Sequence, residues 1–395
     1  MSRMNSRHIL ISGAGIAGLT FAIELKRRGF APLVIEREPG PRTEGYMMDF
    51  FGTGWDVATR MGLVEKLRAV RYPIDAIEFV TPDGAPYLHV PIDRIRRALD
   101  DKYVYLRRQD LERILAERAR AVGIDIRYGK SLAAIEDSGE AVQVRFEDGG
   151  EKTVSLVVGA DGLHSRVRQL VFGPDKQFTR FLGLYVAAFH VPSHRFPIGR
   201  KVKLFEEPDR GAFLYPLGDQ RLDATLIFRH SEMSVPRQAR IGALRTIYRG
   251  GGWITPDILN AYNDDGPVYF DSVTQIVMPQ WHKGRVALIG DACGCLTLLA
   301  GQGSHMAMAG GYVLAEELAR QPDHRAAFVA YQNFLKPPVE KRQRDAARFV
   351  GLFVPSAGSR PWLRRLVIRL FFSPLVVKFA FGLFGSKSVL AGRAD

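Results

Sequence analysis

The chain has 395 residues, a net charge of +13, 46% hydrophobic residues and 25% charged ones. That length allows two or three domains, or one α/β domain with an inserted second layer, and the composition excludes both a disordered chain and a membrane-embedded fold. Two cysteines cannot make a disulfide framework, and the N-terminus runs into a strand without the apolar segment of a secretory signal, so a reducing, cytoplasmic location is expected.

HILISG, His8 to Gly13, predicts a short buried strand, and Ala14 to Arg28 carries apolar positions at helical spacing until Gly29 stops it. LVIE, Leu33 to Glu36, predicts the next strand, giving a β-α-β opening. Further on, Leu111, Ile114, Leu115, Ala119 and Val122 share one helical face closed by Gly123, and IDIRY follows as a strand. Val142, Val144 and Phe146 alternate before a Gly149-Gly150 turn, as a hairpin should.

From about Thr179 to Val277 the texture changes to short aromatic strands punctuated by proline and glycine, which predicts a separate antiparallel sheet. RVALIGDA, Arg285 to Ala292, then returns to α/β texture, followed by a helix of small residues over Ser304 to Leu318. The expected class is α/β: a Rossmann-like domain (1–70, 101–178 and 278–345) interrupted by a sheet domain (71–100 and 179–277), with a helical tail over 346–395.

That tail is basic. From Lys336 onward twelve Lys or Arg face three acids, a net +9. Its apolar stretch, Leu366 to Gly385, is interrupted by Arg369, Pro374 and Lys378, so it falls short of the roughly 20 apolar residues of a membrane span. Two readings stay open: helices packed on the body of the protein, or a basic amphipathic segment in weak contact with an anionic membrane surface. No nucleic-acid-binding module is visible.

GAGIAG, which is Gly13, Ala14, Gly15, Ile16, Ala17 and Gly18, sits between the first strand and the first helix. In a GxGxxG turn the first glycine allows the tight bend, the second admits a pyrophosphate to the backbone N–H groups, and the third lets helix and strand pack closely. Glu36 lies at the end of the second strand, where an acid accepts hydrogen bonds from adenosine ribose hydroxyls. Together these residues specify a dinucleotide without saying which one.

Later motifs supply a resemblance. GADGLHSRVR (Gly159 to Arg168), GDA (Gly290 to Ala292) and RQDL (Arg108 to Leu111) resemble, in order, the motifs of class A flavoprotein monooxygenases, the p-hydroxybenzoate hydroxylase group. The resemblance implies FAD, with Gly13, Gly15 and Gly18 at the pyrophosphate, Glu36 at the ribose and Arg37 beside the adenine. It further implies Arg108 at the ribityl and phosphate region, Asp291 at a ribityl hydroxyl, and the backbone of Gly301, Gln302 and Gly303 facing the isoalloxazine. Asp161 belongs to a motif linked to FAD and nicotinamide; the alternative for Asp161, Arg166 and Arg168 is a hydrogen-bonded turn with surface arginines. GYMMDF, Gly45 to Phe50, resembles the segment passing the flavin, with Asp49 as a cofactor contact and Met47 as a substrate contact or core filler. RTEGYMMDFFGTGWDVATRMGL and the GQG loop resemble more closely the branch of tetracycline-inactivating monooxygenases and polyketide hydroxylases. In two places the chain departs from the pattern: Cys293 and Gly294 replace Ala-His, and Thr297 and Leu298 replace a proline pair.

Cys293 and Cys295 lack neighbouring ligands for a metal and are too close in sequence for an unstrained disulfide, so they are expected to be packing residues. The implied cycle needs no protein nucleophile: NADPH or NADH reduces FAD, O2 adds to give a C4a-hydroperoxide, and one oxygen passes to an electron-rich substrate. The basic excess leans towards NADPH. A flat aromatic or polyketide substrate would meet Phe213, Tyr215 and Phe228, with His190, Arg229 and His230 as polar contacts. A monomer is expected, with the tail as membrane contact or lid. The alternatives are a reductase or dehydrogenase of a prenyl-type, membrane-associated substrate, and a non-enzymatic flavoprotein.

Overall fold

The computed structural model describes residues 8–41, 46–262, 266, 268–297, 301–356, 358, 360–374, 376–377 and 387–393, with the side chains of 349–353 excepted. Leu298, Gly45 and the segment from Lys378 to Gly385 lie outside the described residues. Among the described residues the strands form a six-stranded, a seven-stranded, a three-stranded and a two-stranded sheet.

The opening strand, His8–Ser12, is central to the first of these, flanked in parallel by Ala31–Glu36 and Leu156–Gly159. Its near-continuous apolar run follows from burial on both faces. The helix Ile16–Arg27 covers one face and packs on the helix Gly303–Arg320. At Gly311 the two backbones are so close that a Cβ would lie 2.7 Å from Ala17 O and Phe21 N. The expected hairpin forms over Val142–Phe146 and Glu151–Val154, and Leu132–Asp137 joins it.

The second layer is mixed rather than purely antiparallel. Thr179–Pro192, Arg221–Arg229, Arg210–Pro216 and Lys201–Glu207 pair antiparallel, but Lys201–Glu207 runs parallel to Ala76–Val80, a partner distant in sequence. Strand parity sorts this sheet. Phe213, Tyr215, Thr225 and Ile227 face the dinucleotide-type domain, while Phe228, Leu226 and Ala212 join the cluster on the far side. Among the described residues, the tail region contains the helices His324–Phe353 and Pro361–Phe371. No described helix is long and apolar enough to cross a membrane.

Candidate functional site

The two sheets face each other across a cleft of about 940 Å³. One end is built from the glycine turn. Gly13 has φ +110° and donates its N–H to Ile35 O, and a Cβ there would lie 2.4 Å from Ala160 O. A Cβ on Gly18 would lie 2.0 Å from Gly13 O. Packing thus demands both glycines. Gly15 differs: the nearest atom to a Cβ there is Glu112 Oε1 at 3.8 Å, so the protein leaves space in front of it. Gly15 is also the N-cap of Ile16–Arg27 and supplies no side-chain cap, which leaves that helix terminus open to an anion.

Glu36 is fixed across this turn. Its Oε2 accepts from the Ala14 N–H at 2.9 Å and its Oε1 from the Glu38 N–H at 3.1 Å, which aims the carboxylate along the cleft. Arg37 and Lys130 line the same end. Arg108 pairs with Glu112 at 3.0 Å, and that carboxylate holds the guanidinium firmly charged. Tyr46 lies between Arg108 and the Tyr269 ring, 5.8 Å away, and burial pushes its hydroxyl up to about 12.

The GADG and GDA turns meet here. Asp161 lines the cleft, accepts from Ser165 Oγ and from the Val167 N–H at 3.0 Å, and is raised above the usual carboxylate range by burial. Arg168 departs from the surface-arginine alternative. It is fully buried and donates to Leu163 O at 2.6 Å, Ala292 O at 2.9 Å and Asp175 Oδ1 at 2.7 Å, locking the two turns together. Asp291 lines the cleft beside this lock. Gly301 and Gly303 line it too, at the N-terminus of Gly303–Arg320, so a second helix start faces the same space. The Gln302 side chain turns away: its Oε1 accepts from Arg342 Nε at 2.7 Å.

At the other end, Met47, Asp49, Phe213 and Tyr215 line the cleft together with Thr225 and Ile227. Asp49 accepts from Tyr103 Oη and is raised by burial. His305 supports this wall from below, with Nε2 3.1 Å from Asp49 O, and burial holds its imidazole down to about 4. Both cysteines are free and buried, with thiols pushed up by burial; Cys295 lines the cleft, and among the described residues no His, Cys, Asp and Glu cluster could hold a metal.

Four expected substrate contacts are not brought to the cleft. Phe228 is on the opposite face of its strand, stacked on Tyr185. Arg229 pairs with Asp209 at 2.9 Å and reaches towards Val354 O. His230 is exposed and bonded to Ser231 O. His190 shares the cleft-facing parity but sits at the far end of its strand, opposite Asp223. Thr225, Ile227, Tyr46 and Tyr269 were missed, although the period-two alternation running through Thr225 and Ile227 carried the signal for those two.

A family model described as FAD binding domain matches residues 7–327. A flavin-dependent monooxygenase of Legionella longbeachae is 31% identical over 343 residues, covering 85% of this chain and 87% of that protein. An uncharacterized protein of Mycobacterium tuberculosis is 32% identical over 340 residues, covering 85% and 91%. Among solved structures, tetracycline destructase Tet(55) superposes with a TM-score of 0.83 at 28% identity, covering 97% of this chain and 98% of that one. Klebsiella pneumoniae HpxO complexed with FAD and uric acid has a TM-score of 0.78 at 19% identity, a likeness of fold. With its glycine turn open to an anion and its second sheet facing that turn, the chain belongs to the FAD-binding flavin-dependent monooxygenases.

Proposed function

We propose that the chain hydroxylates a flat, largely apolar aromatic or polyketide-type substrate, using its FAD, a nicotinamide donor and O2. The observation that carries this reading is the two-ended cleft: a helix start kept clear at Gly15 faces a wall of Phe213, Tyr215, Ile227 and Met47 across one continuous space. When bound, FAD supplies the redox and oxygen chemistry. The residues fit it as follows. Gly13, Gly15 and Gly18, with the helix start at Ile16 and Ala17, hold the pyrophosphate. Glu36 takes the ribose, Arg37 the adenine, Arg108 the ribityl and phosphate region, and Asp291 a ribityl hydroxyl. Asp161 lies beside the glycine turn, Asp49, Gly301 and Gly303 border the ring end, and the Gln302 side chain is held by Arg342. The aromatic wall excludes water and orients the substrate.

The donor binds from the mouth, where Arg37, Lys130, Arg166 and Arg237 bring cationic groups together beside His164. His164 is held above its ordinary value by Asp271 at 3.8 Å. This charge favours NADPH over NADH.

A panel of phenols, anthraquinones and tetracyclines tests the reading, screened for accelerated NADPH oxidation with oxygen uptake. The expected result is a product one oxygen atom heavier than its substrate. Oxidation that proceeds equally without oxygen would favour a reductase.

A further inference from the structure

The helix Pro361–Phe371 has an apolar face turned outward. Trp362, Leu363, Leu366, Val367 and Leu370 are 63%, 46%, 47%, 43% and 54% exposed. At 100° per residue they fall within about 140° of the helix circumference. The opposite side of the helix is already used: Ile368 is buried, and Arg364 Nε donates to Glu206 Oε1 at 2.8 Å. Just past the helix, Phe372 packs on Phe79, with ring centroids 5.7 Å apart. The exposed stripe is therefore not the seam that fastens the helix to the protein.

The charges around the stripe are of one sign along the helix. Arg360, Arg364, Arg365 and Arg369 are its charged residues between 360 and 371, with no acid among them. Arg365 and Arg369 border the stripe and rest against Tyr87, through a ring contact at 5.0 Å and a hydrogen bond to its carbonyl at 3.0 Å. The next basic helix, Ile92–Ala98, touches the same end, with Arg94 Nη1 donating to Phe372 O at 2.9 Å. Glu206 offsets only Arg364, and Asp83 lies within electrostatic reach of Arg365.

We propose that this helix docks in the plane of an anionic lipid surface, its Trp-Leu-Val stripe entering the headgroup boundary and its bordering arginines meeting lipid phosphates. Charge separates this occupant from a second copy of the chain, which would bring its own arginines against these. The helix is too short to span, so the contact is peripheral. Docking needs no turnover, so it stands or falls separately from the hydroxylase reading.

The test uses the full-length FAD-loaded protein with phosphatidylcholine vesicles, with and without phosphatidylglycerol. Co-sedimentation with the anionic vesicles and a blue shift of tryptophan emission are expected, with affinity about tenfold lower on neutral vesicles. Trp362→Ser/Leu366→Ser/Leu370→Ser should abolish binding, and Arg365→Gln should weaken it on anionic vesicles only; retention of the flavin spectrum checks the fold of each. Absence of binding by the native protein, or equal binding by the serine variant, would overturn the proposal. So would a native dimer in light scattering that the serine variant converts to monomer.

Discussion

Asp223 is a buried carboxyl on the cleft-facing side of its strand, accepting from Thr225 Oγ1 at 2.8 Å, and burial raises it to about 7. Between about pH 4 and 7 the native state binds a proton there that the unfolded chain releases, so this group's contribution to stability falls as pH rises, by at most about 1.4 kcal/mol per pH unit. Above that window the contribution is flat. His305 acts in the opposite sense, because an imidazole lowered to about 4 stays neutral where the unfolded one is charged. Urea unfolding of the native protein and of Asp223→Asn across this range should therefore give curves whose separation changes with pH, the variant gaining relative stability towards neutrality; parallel curves would contradict the account. Thr297 offers a second test. Its φ of +113° is strained for a β-branched residue and closed to proline, whose φ is near −65°. Thr297→Gly should raise stability by up to about 1 kcal/mol in thermal unfolding, and Thr297→Pro should lower it. The departure from a proline pair was legible in the sequence, but its cause was not, because a backbone angle is set by the loop around it. Arg168 was hidden for a related reason: nothing local distinguishes a surface arginine from one whose partners lie at Ala292 and Asp175.

Two helices bring their N-terminal ends to the cleft, Ile16–Arg27 and Gly303–Arg320, and both depend on the close approach at Gly311. A side chain there would meet backbone atoms of Ala17 and Phe21, which cannot move aside cheaply. Gly311→Val should cost about 2 kcal/mol or more through overpacking, and it should weaken FAD retention by spreading the two helix starts; unchanged melting temperature and unchanged flavin content would refute this. The glycine turn, the opening β-α-β unit and the hairpin could be read from the sequence because each is local, fixed by spacing within about thirty residues. The parallel pairing of Ala76–Val80 with Lys201–Glu207 could not, since its partners are separated by most of a domain and share no pattern. Parity explains the misplaced substrate contact as well. Choosing Phe228 for its aromatic ring overlooked that residues two apart from Phe213 and Thr225, and not their immediate neighbours, face the cleft.

At the scale of the whole molecule, the tail from Lys336 onward carries +9 of the net +13, while the basic side chains of the cleft mouth, Arg37, Lys130, Arg166 and Arg237, stand beside Glu36, Glu38 and Asp271. The mouth predicts that kcat/KM for NADPH falls more steeply with ionic strength than kcat/KM for NADH, since the extra phosphate is what salt screens. Steady-state assays over a salt series check this, and Arg166→Gln should flatten the NADPH slope. The α/β class with an interposed sheet was visible in the change of texture near Thr179, whereas the way the tail lies over the sheet was not. Arg229 and Asp209, which reach Val354 and Pro355, hold it there through contacts that no sequence spacing announces. The central claim is that FAD lies with its pyrophosphate at the helix start the protein leaves clear at Gly15. Titrating FAD into flavin-free native protein and into Gly15→Val tests this most directly, with circular dichroism as the control for folding. The native protein should bind one FAD and the folded valine variant should bind it at least about a hundredfold more weakly, because the branched side chain fills the space of the phosphates; equal affinity for the two proteins would contradict the account.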